Sequence, residues 1–467
     1  MSLGWGSLPL LPLRCVLDHL STEDALAAMS TCHHWRSAVL LYEGRKETLK
    51  LITGSMERNM FLARIFRKHT RKLHIFIEHE AELDKFITFV LPQFFDSVKL
   101  SEIIFIGPSY VRSQHISVVK LKRILTETLV FKHANTLKKL AYLGCELDTG
   151  KNDHDRYTHK QIEYYSRPLS FSGVNSPADA VLSQNNIGIM AFSALKHIIV
   201  DYERIDTSTL ETLSRLNNFR QLSLNIVYKK QLNLKPIDWH RLQKLYPREL
   251  DVAVNIIAMP FRKFNDVIEN VLVEGLPLTS IKVMFCKSIY TALLGHVARR
   301  YPVSLRELVW ADAPYDSADE GLRHVRPVRD LIEQDTYNVN PFILLCWQCM
   351  HLQRLVIHGY WVWQYDLLGF VRLRKGLTQL EVSAVYSRQE RFCGTPRRCE
   401  EGVVRVLAGD APAPVDHQFL DQVSAYTERA WAPVAWRRLP AGLRARAAAP
   451  QRLHYALHEA AHPLGVT

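Results

Sequence analysis

A chain of 467 residues is too long for a single compact core, since such cores stop growing near ~250–300 residues, so two domains or a repeat array are expected. Its 47% hydrophobic and 23% charged content excludes a wholly disordered chain, and no apolar run reaches the length of a membrane span. Pro9, Pro12 and Arg14 interrupt the N-terminal apolar stretch, which argues against secretion and predicts a cytoplasmic or nuclear protein, while the net charge of +12 suits either nucleic acid or an acidic protein partner.

Residues 8 to 40 read LPLLPLRCVLDHLSTEDALAAMSTCHHWRSAVL. Leu13, Val16, Leu17 and Leu20 follow one another at helical spacing and place four apolar side chains on one face of a short helix. Ser21-Thr22-Glu23-Asp24 is a polar break with capping residue types, after which Ala25, Leu26 and Met29 resume the period and Cys32 and Trp35 close it. Three short helices are predicted. Pro12 is tolerated in a first helical turn, where its missing N–H would have no intrahelical partner. So small a unit leaves apolar surface for a neighbour, because chains below ~40 residues usually need a staple or a partner.

The order Leu8-Pro9, Val16/Leu17/Leu20, Asp24-Ala25-Leu26 and Cys32-His33-His34-Trp35-Arg36 resembles the F-box motif. That resemblance implies a module, over residues 5–45, that performs no chemistry and docks the Skp adaptor, which hangs from a cullin scaffold carrying a ubiquitin-loaded enzyme. The candidate adaptor-binding residues are then Leu8, Pro9, Val16, Leu17, Leu20, Leu26 and Trp35. The alternative is an amphipathic helical hairpin packed wholly on its own domain.

Between residues 100 and 382 one pattern recurs eight times: an apolar residue, two variable ones, a second apolar residue, one variable, and a third. The copies are Leu100/Ile103/Phe105, Leu137/Leu140/Tyr142, Leu195/Ile198/Val200, Phe219/Leu222/Leu224, Leu278/Ile281/Val283, Leu305/Leu308/Trp310, Leu352/Leu355/Ile357 and Leu377/Leu380/Val382. A weaker copy, Leu250/Val252/Val254, falls in the longest gap, and Leu73/Ile75/Ile77 begins the series upstream. Each reads as a short strand entered by a turn, and the shorter separations of 24, 25 and 27 residues match a leucine-rich repeat. Helix-like segments such as 210–216 and 264–272 lie between them. The expected architecture is an irregular leucine-rich-repeat-like solenoid over 70–390, whose neighbours stack because one unit cannot bury its own apolar face. A parallel α/β domain is the alternative, since its strands give the same short apolar runs.

Two polar stretches, 149–188 with Tyr157, Tyr164 and Tyr165, and 311–340, read as loops or insertions. The cysteines form neither a disulfide scaffold nor a zinc ribbon, and Cys346 and Cys349 lie in the apolar helical run FILLCWQCMHL, so reduced core thiols are expected. The densest basic cluster, Arg67 to Lys72, stands alone and reads as a solvated edge. WADAPYDSAD at 310–319, NPFILLCWQC at 340–349 and LVIHGYWVW at 355–363 extend the resemblance to F-box proteins toward Trp436.

Composition then changes. Residues 391–467 hold 15 alanines, 7 prolines and 10 arginines, and poor order is predicted after Trp436. Inside this segment His458-Glu459-Ala460-Ala461-His462 spells H-E-x-x-H, with His454 one turn upstream. On a helix such histidines can bind zinc with the glutamate as general base, but Pro463 stops the helix and no downstream ligand follows, so no metal site is assigned. No phosphate loop or nucleophile signature accompanies it.

The sequence therefore reads as an α/β chain, a short three-helix F-box followed by an irregular solenoid. It would be a non-catalytic substrate receptor of a ubiquitin ligase, with no cofactor, no membrane contact and no direct nucleic-acid role. Its partners would be the Skp adaptor, the cullin indirectly, and an unknown protein target. The rival is a basic repeat scaffold that binds RNA or an acidic protein without ligase function.

Overall fold

The computed structural model describes residues 4–20, 22–41, 48–68, 70–76, 85–97, 99–106, 132–143, 192–202, 205–228, 234–246, 250–286, 289–312, 326–327, 340–386, 405–407, 417–434, 438–444 and 449–463. The stretch 149–188 lies outside them, as does most of 311–340. The chain divides into two compact units, one of residues 1–196 with 215–219, the other of residues 197–214 with 220–467.

The first unit opens with three helices, α1 (Leu10–His19), α2 (Thr22–Thr31) and α3 (His33–Leu41). It continues with strand β1 (Thr48–Ile52), helix α4 (Met56–Phe66), strand β2 (Lys72–Phe76), a π turn at Phe86–Val90 running into α5 (Leu91–Ser97), and strands β3 (Glu102–Ile106) and β4 (Lys139–Leu143). β1 to β4 pair in parallel and in chain order, so that Leu49, Leu73, Ile103 and Leu140 lie side by side, as do Leu51, Ile75 and Phe105. All seven are buried. Buried His133 ties a connection to this layer: the Leu100 N–H donates to its Nδ1 at 3.0 Å, leaving Nε2 to donate to the Phe95 carbonyl at 3.2 Å. Burial, which outweighs the bond to Phe95, pulls its pKa below the usual histidine value.

The second unit carries β5 (His197–Asp201), α6 (Thr207–Leu213), β6 (Gln221–Val227), α7 (Trp239–Gln243), β7 (Asp251–Ile257), α8 (Phe264–Asn270), β8 (Leu278–Met284), α9 (Thr291–Arg300) and β9 (Glu307–Ala311). Then follow β10 (Arg326–Pro327), α10 (Pro341–Gln348), β11 (Arg354–Trp363), α11 (Gln364–Leu373), β12 (Gln379–Tyr386), β13 (Arg405–Leu407), α12 (His417–Thr427) and α13 (Ala449–Ala460). The strands β5, β6, β7, β8, β9, β11 and β12 pair in parallel in that order. β10 adds a parallel pair to β11, and β13 an antiparallel pair to β12. Helices follow the same succession, with α8 on α9, α9 on α10 and α10 on α11. Sequential parallel strands with a sequential helix layer make the fold α/β and solenoid-like, because each unit covers the open edge of the one before it.

All ten copies of the repeat pattern, the two weaker ones included, mark strands β2 to β9, β11 and β12, the first apolar residue mostly lying one or two residues ahead of the strand; Ile77 alone lies outside the described residues. The register stacks the inward apolar residues of these strands into columns. Leu224, Val254, Ile281, Leu308, Leu355 and Leu380 form one, and Ile226, Ile256, Val283, Trp310, Ile357 and Val382 another. An irregularity between Val252 and Ala253 places one extra residue on β8, so that the third pattern position of β7 meets the second position of β8 and the apolar face stays continuous. Strands β1, β10 and β13 carry no copy of the pattern and were not anticipated.

Aromatic side chains fill the space between strands and helices. Trp310, fully buried, stacks on Phe264 with centroids 6.5 Å apart and meets Phe342 edge-on at 6.1 Å. Cys346 and Cys349 are both buried in or beside α10, and burial pushes the Cys349 thiol up to about 12 against the opposing pull of Arg374. The Arg374 guanidinium donates to the carbonyls of Cys346, Trp347 and Met350, so these cysteines belong to a capped helix end.

Replacing Trp310 by alanine removes the largest side chain of a column and leaves a cavity that neighbouring repeats cannot close. The expected cost is about 3–5 kcal/mol, read as a lowered urea midpoint at unchanged slope.

Candidate functional site

The N-terminal helices are held by a small core of their own. Leu13, Leu17, Met29, Ala38 and Val39 are buried together, and Leu8, Leu20, Ala25, Trp35 and Ile65 of α4 pack against them. α1 starts at Leu10, two residues before Pro12, so the proline occupies the third helical position, where its lack of an N–H costs no hydrogen bond. Cys32 caps α3 through sulfur, its Sγ accepting from the Trp35 N–H at 3.5 Å. The Arg36 side chain donates to the Met29 carbonyl at 3.2 Å, near the end of α2.

Two contacts fasten the segment before α1 to α3. The Trp35 indole N–H donates to the Trp5 carbonyl at 2.9 Å, and His34 Nε2 lies 2.7 Å from the Leu8 carbonyl. Trp35 therefore works through both ends of its side chain, the ring in the core and the N–H on the backbone.

Of the residues singled out in the sequence, Leu17 is 1% exposed and faces inward. Leu8, Val16, Leu20 and Trp35 are half-buried, and Pro9 is exposed. Leu26 lies in α2, with its side chain outside the described residues. Sequence periodicity missed the side chains that project furthest: Trp5 is 73% and Leu11 74% exposed, with Leu10 at 38% beside them. They escape a helical stripe because Trp5 lies in a turn, Trp5–Ser7, ahead of α1, and Leu10 and Leu11 are its first two residues. Three exposed apolar groups within residues 5–11 are the kind of surface that marks an interaction site.

Residues 5–43 match the F-box domain. The N-terminal helices are an F-box. The chain is 26% identical over 223 residues to F-box only protein 33 from Homo sapiens, covering 46% of this chain and 38% of that protein. It is 23% identical to F-box only protein 33 from Mus musculus, over 44% of this chain and 35% of the relative. The chain thus spans well under half the length of the curated relatives it matches. Among solved structures, an internalin, InlF, from Listeria monocytogenes str. 4b F2365 covers 82% of this chain and 90% of its own at 10% identity and a TM-score of 0.20. At that score the likeness carries no argument, and the solenoid reading stands on the strand pairings alone. Among the described residues no helix is long and apolar enough to cross a membrane.

The C-terminal segment departs from expectation. Where composition predicted poor order after Trp436, a turn at Ala441–Leu443 and helix α13 are formed. The alanines that suggested disorder are the reason: Ala456, Ala460 and Ala461 are fully buried, and small side chains let a helix approach closely. Gly442 fits for the same reason, since a Cβ there would lie 2.6 Å from the Gln451 carbonyl and the Tyr455 Cβ.

α13 brings Glu459, the glutamate of the H-E-x-x-H run, onto a charged row of the sheet. Its Oε1 accepts from Arg354 at 2.7 Å and from Lys282 at 3.3 Å. Lys282, with a fully buried side chain, also donates to the Glu459 carbonyl at 2.9 Å and the His462 carbonyl at 3.1 Å, and pairs with Glu307 at 3.3 Å. Glu307 accepts in turn from Arg354 and from the Ser280 hydroxyl. Burial alone would raise the Glu459 pKa, but Lys282 and Arg354 outweigh it and hold the carboxyl down to about 2. A carboxylate so held is a poor proton acceptor at neutral pH.

Because an unfolded glutamate titrates near ~4.3, the Glu459 contribution is complete above that pH and is lost as pH falls toward 2. Amide protection in α13 is expected to drop across this window in hydrogen exchange. Glu459→Gln should start lower at neutral pH and lose less over the same range.

Proposed function

We propose that this chain is a substrate receptor of an SCF-type ubiquitin ligase, its F-box docking the Skp adaptor and its repeat region holding a target protein. The observation that carries this reading is an F-box whose core is closed while Trp5, Leu10 and Leu11 remain exposed beside half-buried Leu8 and exposed Pro9. The side chains of this module then divide by role. Leu13 and Leu17 keep α1 on its own core, Leu20 and Trp35 pack against that core, half-buried Val16 lies beside them, and Pro9, Leu10 and Leu11 offer the surface that a neighbour covers.

No acid, base or nucleophile is needed for such a role. Holding a target beside a ubiquitin-loaded enzyme raises the effective concentration of its lysines, so the reaction is accelerated by placement. The cullin is reached only through the adaptor.

Leu8→Ala with Pro9→Ala should abolish copurification of the Skp adaptor while leaving the circular-dichroism spectrum unchanged, and Leu11→Asp should do the same with a single exposed change. Leu17→Ala should behave differently, losing about 2–5 kcal/mol of local stability because it empties the core. Adaptor retained by the Leu8/Pro9 and Leu11 variants alike refutes the assignment, and a salt-dependent nucleic-acid affinity in its place favours a basic scaffold.

A further inference from the structure

The strands of the second unit turn one set of side chains to the core and the other to the opposite face, and that outer set is largely polar along two rows. Ser223, Ala253, Ser280, Glu307, Arg354 and Gln379 are in register along one row, and Asn225, Asn255, Lys282, Val309, Val356 and Glu381 along the next. Several bond to one another across strands, Asn255 to Asn225 at 2.8 Å and Ser280 to Glu307 at 2.6 Å. Glu381 is engaged by His358 at 3.5 Å and by Gln379. A row of polar side chains on a sheet ordinarily faces water, yet Ser223, Asn225, Asn255, Ser280, Lys282 and Glu307 are all buried.

Over Lys282 and Arg354 the cover is α13, and the charge count shows what that cover must bring. Lys282 and Arg354 supply two cations to this point, and Glu307 balances one of them. The second anion is Glu459, which comes from the covering helix. Three of the four groups facing the Lys282 ammonium, the Glu459 carboxylate and the carbonyls of Glu459 and His462, likewise come from the helix end. The C-terminal end of a helix, with its unsatisfied carbonyls, is a favourable seat for a cation. Tyr455 completes the seat by meeting Phe285 edge-on at 6.0 Å. Leaving α13 in place but neutralising Glu459 removes the nearest carboxylate from two largely buried cations, so an occupant that covers this face favourably is one that offers a carboxylate near the end of a helix.

We propose that α13 is a resident occupant of the face that receives the target, and that the target displaces it by presenting an acidic helix end to Lys282 and Arg354. This rests on the receptor reading above and gives it a partner chemistry: a helical protein segment with small side chains on one face and a glutamate or aspartate in its last turn. In the resting chain the receptor is closed by its own C-terminal helix. Removing the Glu459 charge opens it.

The test uses the full-length chain and, as probe, a fluorescein-labelled peptide of residues 449–463. The peptide should bind full-length Glu459→Ala about tenfold or more tightly than the unaltered chain, since apparent affinity scales with the fraction of molecules whose face is open. A peptide in which its own Glu459 is lysine should bind neither. In the unaltered chain, hydrogen exchange should show α13 opening faster than β8 and β9. The proposal is overturned if the peptide fails to bind a folded Glu459→Ala chain, if α13 exchanges only together with β8 and β9, or if Glu459→Ala loses the folded spectrum, since α13 would then be an inseparable part of the repeat array. Adaptor copurification measured on the same samples separates the two readings: its loss with peptide binding intact removes the ligase role and keeps the displaceable helix, and the reverse removes only the helix.

Discussion

Everything in the second unit depends on the lateral spacing of parallel strands. Neighbours ~4.8 Å apart bring the inward positions of successive repeats into side-by-side contact. Inward apolar positions, the third of the pattern up to β7 and the second from β8 onward, become a continuous column from Val200 to Leu380. The same constraint acts on the other face of each strand, where it forces polar side chains into mutual contact and makes their charges a shared matter. Core and charged row are two consequences of one register.

The two faces are held by different physics. Inside, leucine, isoleucine and valine need only be apolar and of suitable volume, and Trp310 shows how a large side chain is accommodated when Phe264 and Phe342 close around it. Outside, Lys282 and Glu307 are fully buried charges, which persist only when every donor and acceptor has a partner. Arg354 and Glu459 complete that set. The C-terminal helix is therefore held by specific charges as well as by the close approach that its alanines permit.

The F-box stands on a different footing. Its core is a handful of residues from three short helices, with Ile65 of α4 as an added support. Such a unit cannot enclose all its apolar side chains, and those left outside lie at the start of α1, where Pro9 and Pro12 fix the backbone before the helix has a full turn of hydrogen bonds. The bonds from Trp35 and His34 to the main chain of Trp5 and Leu8 hold this segment in place, so the exposed side chains are presented on an anchored support.

What the amino-acid sequence decided by itself was whatever repeats over short distances. The three N-terminal helices and the strands from β2 to β12, apart from β10, were legible because periods of 3.6 and of two residues are local properties of the chain. β1 and β13 were not, since neither carries the repeat and each is defined by the strand beside it. The role of Leu17 against Leu11 was hidden for a related reason: both are leucines of α1, and only the packing of α2 and α3 decides which is sealed. The clearest case is Glu459. In the sequence it belongs to H-E-x-x-H, a zinc-site signature, or to an alanine-rich tail. In the fold it pairs with Lys282 and Arg354, which are 177 and 105 residues away along the chain. Charge acts through space at a few ångströms, and no reading of neighbours along the chain can supply that distance.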